Sequence, residues 1–207
     1  MIPIASDVSE GGETPGARAG SMVASVGSAL RSTGVAEPDA TVVLRAVGLA
    51  IEPRVTSLDD DHHPAYLHPG RSVLILLRDV GRVAGLALAT AAVLESEDEG
   101  LRLPDARVRA TLGEDVAAAA RDVPRPGDEA LVERLLRLPN DVALAALAER
   151  LDHLRHLHLR PDLERLLGPR HDEVVRAWQP FAERVDARLA TRYGHWARTF
   201  ARRLKRG

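Results

Sequence analysis

A histidine and a group of carboxylates are the residues of this chain best suited to chemistry. His68, followed by Pro69, opens one apolar helix, and the next predicted helix ends in an acidic cluster. The cluster comprises Glu95, Glu97, Asp98 and Glu99. Imidazole and carboxylate groups bind divalent cations, and a water molecule bound to such a cation is a nucleophile at neutral pH. These residue types therefore indicate metal-dependent hydrolysis.

Both features also have structural interpretations. His68 could cap its helix or pack under Tyr66. An acidic cluster is most often a solvated helix end, although carboxylates at a helix C-terminus oppose the helix dipole, which hints that something compensates them. The residues alone leave both interpretations open.

A second candidate group lies on the long helix predicted in the C-terminal half. Glu149, His153 and His156 are spaced at i, i+4 and i+7, which places a carboxylate and two imidazoles on one helical face. Such a face can bind a metal ion, but no fourth ligand is evident. The favoured alternative is a polar face with Arg150 and Arg155 nearby.

The composition predicts an all-α protein. The chain has 207 residues, of which 45% are hydrophobic and only 3% aromatic, so its core must be built from aliphatic side chains, as in helix packing. This length suffices for one domain with a sizeable core. The sequence contains no cysteine, which excludes disulfides and thiolate metal sites.

Charge and hydropathy bear on partners and location. The net charge of −2 argues against bulk nucleic-acid binding. No apolar run approaches the roughly 20 residues of a transmembrane segment, and the N-terminus lacks the pattern of a signal peptide. We therefore expect a cytoplasmic protein.

Periodicity divides the chain into an arm and a helical domain. Residues 1–39 are rich in Gly, Ser, Ala and Thr and predict a disordered N-terminal arm. Residues 40–207 predict a helical domain. The first three expected helices run from Ala40 to Pro53, from Pro69 to Val80 and from Gly85 to Leu94. A short helix is expected to begin near Asp115, and two further helices lie before and after a tight turn at Pro139-Asn140. The last expected helix runs from about His171 to Leu204.

The C-terminal stretch is basic. Residues 184–207 contain eight Lys and Arg residues and one acid, Asp186. Arg184, Arg188 and Arg192 recur every four residues opposite the apolar stripe, which is usual for a solvated amphipathic face. A contact with an acidic partner, a nucleic-acid phosphate or an anionic membrane is the alternative.

Several motifs follow one another between residues 40 and 200. They are P-A-Y-L-H-P at 64–69, A-A-V-L at 91–94, G-E-D-V-A at 113–117, D-V at 141–142, L-A-E-R-L at 147–151 and W-Q-P-F-A at 178–182. In this order they resemble the hydrolase domain of the RelA/SpoT enzymes, which remove pyrophosphate from (p)ppGpp. The resemblance implies an HD-domain-like helical bundle.

The resemblance also implies a metal site, usually for manganese, with altered ligands. The family's first histidine corresponds to His68, its H-D pair to Glu95-Ser96, and its later aspartate to Glu149. Serine is a poor ligand for a divalent cation, and the longer side chain of glutamate moves the ion. The implied cofactor is therefore Mn²⁺ or another divalent cation, or none.

The family's catalytic and substrate-binding positions are altered as well. Its water-activating E-D pair falls at Glu99-Gly100, or at Glu97-Asp98 after a shift of two residues. Its guanine-binding basic residues are replaced by Ser57, Leu58 and an acidic run, which would repel a polyphosphate. The substrate-binding positions that the resemblance leaves are Tyr66, Arg150, His153 and Arg155.

The matches and differences between this sequence and the family's motifs lead to two candidate functions. The favoured one is a degenerate hydrolase domain that has lost efficient metal chemistry and works as a binding or regulatory module, with a guanine nucleotide or phosphate as its ligand. The alternative is an active phosphohydrolase with a carboxylate-rich site built from His68, Glu95, Asp98 and Glu149. In that enzyme Glu97 or Glu99 would transfer the proton.

Overall fold

Helices account for the regular secondary structure of the computed structural model, which describes residues 15–57, 65–94, 103–157 and 165–204. The all-α prediction is confirmed. The helices are α1 (Pro15–Ser32), α2 (Glu37–Ser57), α3 (His68–Ile75), α4 (Gly85–Val93), α5 (Asp105–Leu112), α6 (Glu114–Asp122), α7 (Leu131–Arg137), α8 (Asn140–His156), α9 (Leu167–Glu173), α10 (Gln179–Val185) and α11 (Ala187–Leu204). Within the described ranges, none of these helices has the length and apolar character needed to cross a bilayer.

Helix α8 forms the centre of the bundle. Every residue from Val142 to Leu154 is buried. Helices α3, α4, α10 and α11 pack against α8, and α2 packs against the other side of α4. Because α3 begins at His68 and α8 carries Glu149, the contact between these two helices brings the predicted site residues together.

Helix α1 shows that the prediction of a disordered arm is wrong for residues 15–32. Val26 and Leu30 are buried in the core. At Gly70 of α3, an added Cβ would lie 2.3 Å from Cγ of Met22, so α1 lies directly on α3. The few large apolar residues of α1 stand among Gly, Ser and Ala, and this composition hid the helix. Residues 1–14 lie outside the described part of the chain.

Two further predictions about helix boundaries are wrong. Pro53 lies inside α2 instead of ending it, because packing against α1 and α4 stabilises this helix over most of its length. Helix α5 occupies a stretch for which the sequence predicts no helix. Only Val108 of α5 is buried, so the stretch carries little hydrophobic periodicity. The short helix expected from about Asp115 is present as α6.

The long C-terminal helix predicted from the sequence is interrupted at Asp186. This residue has an extended backbone (φ −154°, ψ 123°). Its Oδ1 accepts hydrogen bonds from the backbone N–H groups of Arg188 and Leu189, both at 2.9 Å. Asp186 is therefore the N-cap of α11, and it changes the direction of the chain before the last helix.

Candidate functional site

His68 stands at the first position of α3, directly after a single 3₁₀ turn, Ala65–Leu67. Pro69 fits the next position because the first amide hydrogens of a helix have no intrahelical acceptor. The imidazole is 1% exposed, and its Nδ1 lies 2.9 Å from Oδ2 of Asp152 on α8. Because an ionised carboxylate only accepts hydrogen bonds, Nδ1 is the donor.

Asp152 joins His68 to a second basic side chain. Nε of Arg71, one turn along α3, donates to the same Oδ2 at 2.8 Å. Burial by itself raises the pKa of the Asp152 carboxyl, but the hydrogen bond from His68 and the charge of Arg71 outweigh burial and hold the pKa well below its usual range. Asp152 is therefore ionised at neutral pH.

Glu149 lies on the other side of the imidazole, one turn before Asp152. Its Oε1 is 3.5 Å from Nε2 of His68, and its Oε2 is 3.7 Å from Nη2 of Arg150. Burial opposes the charge of Glu149, yet the neighbouring Arg150 and His68 outweigh burial and keep the pKa of the carboxyl below its ordinary value. His68 is thus flanked by two buried carboxylates.

Arg150 is the most unusual charged group of the site. Its side chain is 2% exposed, and its guanidinium carbon lies 5.6 Å from the centre of the Trp178 ring, a cation–π contact. Neither Nε nor Nη1 has a hydrogen-bond partner among the described residues. A buried guanidinium with unused donors is rare, because desolvation of a charged donor is costly.

Glu173 positions the surroundings of Arg150. Its Oε1 accepts a hydrogen bond from Nε1 of Trp178 at 2.8 Å, and its Oε2 accepts one from the backbone N–H of Gly127 at 2.8 Å. One buried carboxylate therefore fixes both the ring beside Arg150 and the end of the loop that follows α6.

Two predicted substrate-binding residues lie close to His68. The ring of His153 lies edge-on to the ring of His68, with 6.3 Å between the centroids. Tyr66 lies in the 3₁₀ turn that precedes His68, and its side chain is 1% exposed. The hydroxyl of Tyr66 has no hydrogen-bond partner among the described residues. Both side chains are buried, so neither presents an open binding surface.

Arg155 and His156 point to different surroundings. Arg155 is exposed and lines a groove between α8 and α11 together with Arg192 and Trp196. Nδ1 of His156 lies 2.7 Å from the backbone oxygen of Asp152. The structure thus separates Arg155 from Glu149 and Arg150.

The described residues contain no group of three or more His, Asp or Glu side chains arranged to bind a metal ion. The proposed set of Glu149, His153 and His156 is therefore not formed. Nδ1 of His156 lies against the backbone oxygen of Asp152, and Glu149 lies against His68 and Arg150. Glu95, Glu97, Asp98 and Glu99 lie outside the described residues, as do Leu58 and the acidic run that follows it.

The basic face of α11 is used partly within the molecule. Nη1 of Arg188 donates to the backbone oxygen of Asp79 at 2.9 Å, and Arg192 forms an ion pair with the Asp79 side chain. These contacts fasten α11 to the π-helical turn Leu76–Val80 that continues α3. Arg184 forms neither a hydrogen bond nor an ion pair through its side chain with a described residue.

Sequence reasoning missed two residues that organise the site, Asp152 and Arg71. The signal for each was available in the spacing. Asp152 is three residues after Glu149 and Arg71 is three residues after His68, and residues three apart share a helical face.

No protein-family model matches the chain, and no curated protein matches it significantly.

Proposed function

We propose that this chain is a RelA/SpoT-hydrolase-like helical domain whose metal centre has been replaced by an internal network of charges, and that it works as a binding or regulatory module for a phosphorylated nucleotide. The observation that carries the proposal is the position of His68 between Asp152 and Glu149, with Arg71 and Arg150 beside the two carboxylates.

The charges of this network support the proposal. Two ionised carboxylates, Asp152 and Glu149, are accompanied by two guanidinium groups, Arg71 and Arg150. The four side chains sum to zero charge without a metal ion. A divalent cation between His68 and Glu149 would stand close to Arg150, and the two positive charges would repel each other in a poorly solvated site.

The donor set also supports the proposal. Metal ions in hydrolytic sites usually have three protein ligands. Among the described residues, Nε2 of His68 and Oε1 of Glu149 lie 3.5 Å apart, while Oδ2 of Asp152 is engaged by Nδ1 of His68 and by Nε of Arg71. These residues do not by themselves make a metal centre.

One observation favours the second candidate, an active metal-dependent phosphohydrolase acting on (p)ppGpp or a related nucleotide. Two atoms bound to one ion at about 2.1 Å are separated by about 3.0–3.5 Å, and Nε2 of His68 and Oε1 of Glu149 are 3.5 Å apart. The hydrogen bond from Nδ1 to a carboxylate is also the usual support of a metal-binding histidine. This candidate needs at least one further ligand, for which Glu95 is the sequence-based choice.

The experiment that tests the proposal measures binding and turnover of ppGpp in parallel. Purified protein is titrated with ppGpp by calorimetry, and release of pyrophosphate is followed with and without Mn²⁺. We expect saturable binding and no manganese-dependent release. Manganese-dependent release that is lost in Glu149→Gln would favour the second candidate, and absence of binding to ppGpp and to GDP would refute a guanine-nucleotide module.

A further inference from the structure

A small cavity lies beside Arg150. It has a volume of about 120 Å³ and is bounded by the end of α4, by α5 and α6, and by the loop at residues 123–126. Leu94, Val108 and Ala117 contribute apolar walls. The charged lining residues are Asp105, Arg121, Arg125, Glu149 and Arg150, three cations and two acids. The cavity therefore combines apolar walls with a cluster of charged groups of both signs.

Arg150 supplies the strongest indication of what the cavity binds. Its Nη2 faces Glu149, while Nε and Nη1 have no hydrogen-bond partner among the described residues. A guanidinium group pairs best with the oxygens of phosphate or carboxylate, because its donors are fixed in one plane. Arg150 lines the cavity, so an oxyanion bound there would lie beside this guanidinium.

Arg125 adds a second positive charge at the edge of the cavity. Its side chain is exposed and makes no ion pair with a described residue, in contrast to Arg121, which is held by Asp105 and Glu114. The loop that carries Arg125 is fixed by the hydrogen bond from Gly127 to Glu173, the carboxylate that also holds Trp178. The two arginines are thus positioned through one residue.

We propose that this cavity is a subsite for the phosphate group of a phosphorylated small molecule, with Arg150 binding from the interior and Arg125 from the edge. The volume of about 120 Å³ is well below the roughly 300 Å³ at which sites for whole small molecules begin. The cavity therefore takes a phosphate group, and the remainder of the ligand lies outside it. The inference rests on the proposed function only for the identity of the part of the ligand that lies outside the cavity.

The test uses the full chain, calorimetric titration and inorganic pyrophosphate as the probe. The variant Arg125→Ala removes an exposed side chain without disturbing the core. We expect it to weaken pyrophosphate binding about tenfold, the effect of losing one charge-assisted contact. Arg150→Lys keeps the charge but loses the planar donors, and we expect at least the same loss in protein shown to be folded by circular dichroism.

The matched control is Arg82→Ala. Arg82 is also exposed but lies before α4, at the end of that helix remote from the cavity. Binding should be unchanged in this variant. Equal weakening by Arg82→Ala and Arg125→Ala would mean nonspecific attraction and would overturn the proposal, as would the absence of pyrophosphate binding to the wild-type protein.

A competition experiment separates this inference from the proposed function. If pyrophosphate binds through Arg125 but ppGpp and GDP do not bind, the subsite stands and the guanine-nucleotide function fails. If ppGpp binds, is not displaced by pyrophosphate and is unaffected by Arg125→Ala, the function stands and the subsite fails. Displacement of ppGpp by pyrophosphate, with both weakened in Arg125→Ala, would support both.

Discussion

Replacement of Asp152 by asparagine removes the central negative charge of the buried network while keeping the size of the side chain. In the wild-type protein, the carboxylate of Asp152 accepts hydrogen bonds from Nδ1 of His68 at 2.9 Å and from Nε of Arg71 at 2.8 Å. The amide oxygen of asparagine can accept a hydrogen bond but carries no charge. Asp152→Asn therefore removes the negative charge that Arg71 and His68 share in this network.

The loss of stability in Asp152→Asn can be estimated from the burial of the side chains that Asp152 contacts. Hydrogen bonds to charged groups contribute about 1.5–3 kcal/mol each, and loss of one partner of a buried ion pair costs about 3–5 kcal/mol. The side chain of Arg71 is 19% exposed, so water compensates part of its lost interaction. We expect the free energy of unfolding to fall by about 3 kcal/mol at pH 7, equivalent to a decrease in melting temperature of about 6–12 °C for a chain of this length.

The pH dependence of stability gives an independent check on the cause. The pKa of Asp152 is lowered in the folded state from an ordinary value of 3.8. A lowered pKa contributes stability that is present above the unfolded value and is lost as pH falls below it. The difference in the free energy of unfolding between wild type and variant should be constant above about pH 5 and should become smaller below about pH 4.

Urea denaturation followed by circular dichroism measures both quantities. The control is Asp172→Asn, the same substitution at a side chain that is 76% exposed, which should change stability by less than about 0.5 kcal/mol. A loss below about 1 kcal/mol for Asp152→Asn, or a difference that stays the same at pH 3, would refute the account of the network.

Three further predictions concern the supports of the site. Leu30→Ala should lower the free energy of unfolding by about 2–5 kcal/mol, because Leu30 is 1% exposed in the core; in urea denaturation, a loss no larger than that of Ser21→Ala would contradict the packing of α1. Asp186→Ala should cost about 1 kcal/mol through loss of the N-cap of α11, measured by thermal denaturation, and an unchanged melting temperature would argue against this cap. Glu173→Gln should cost about 2 kcal/mol and alter tryptophan fluorescence, since Glu173 accepts hydrogen bonds from Trp178 and Gly127; unchanged emission and stability would count against its positioning role.

The sequence predicts the helices with strong hydrophobic periodicity and misses those stabilised in other ways. Helix α8 was predicted because apolar residues recur along it, and nearly all of it is buried. Helix α1 was missed because its few large apolar residues stand among Gly, Ser and Ala, which give little periodic signal. The break at Asp186 was missed because the apolar stripe continues on both sides of it, although an aspartate at that point is a usual N-cap.

The candidate site was predicted in part. The sequence identified His68, Glu149 and Arg150, and the structure brings them together. It did not identify Asp152, because a carboxylate on a helix is usually solvated, although its spacing of three residues from Glu149 places both side chains on one helical face. The sequence-based interpretation also grouped Arg155 with Arg150, although residues five apart on a helix point to different sides of it.

Direct titration with Mn²⁺ tests the central claim, that the charge network stands in place of a metal centre. Isothermal calorimetry of wild type, His68→Ala and Glu149→Gln at pH 7 should show no saturable binding below millimolar concentration in any of the three proteins. Saturable binding of one Mn²⁺ per chain that disappears in both variants would contradict the claim and would assign His68 and Glu149 to a working metal site.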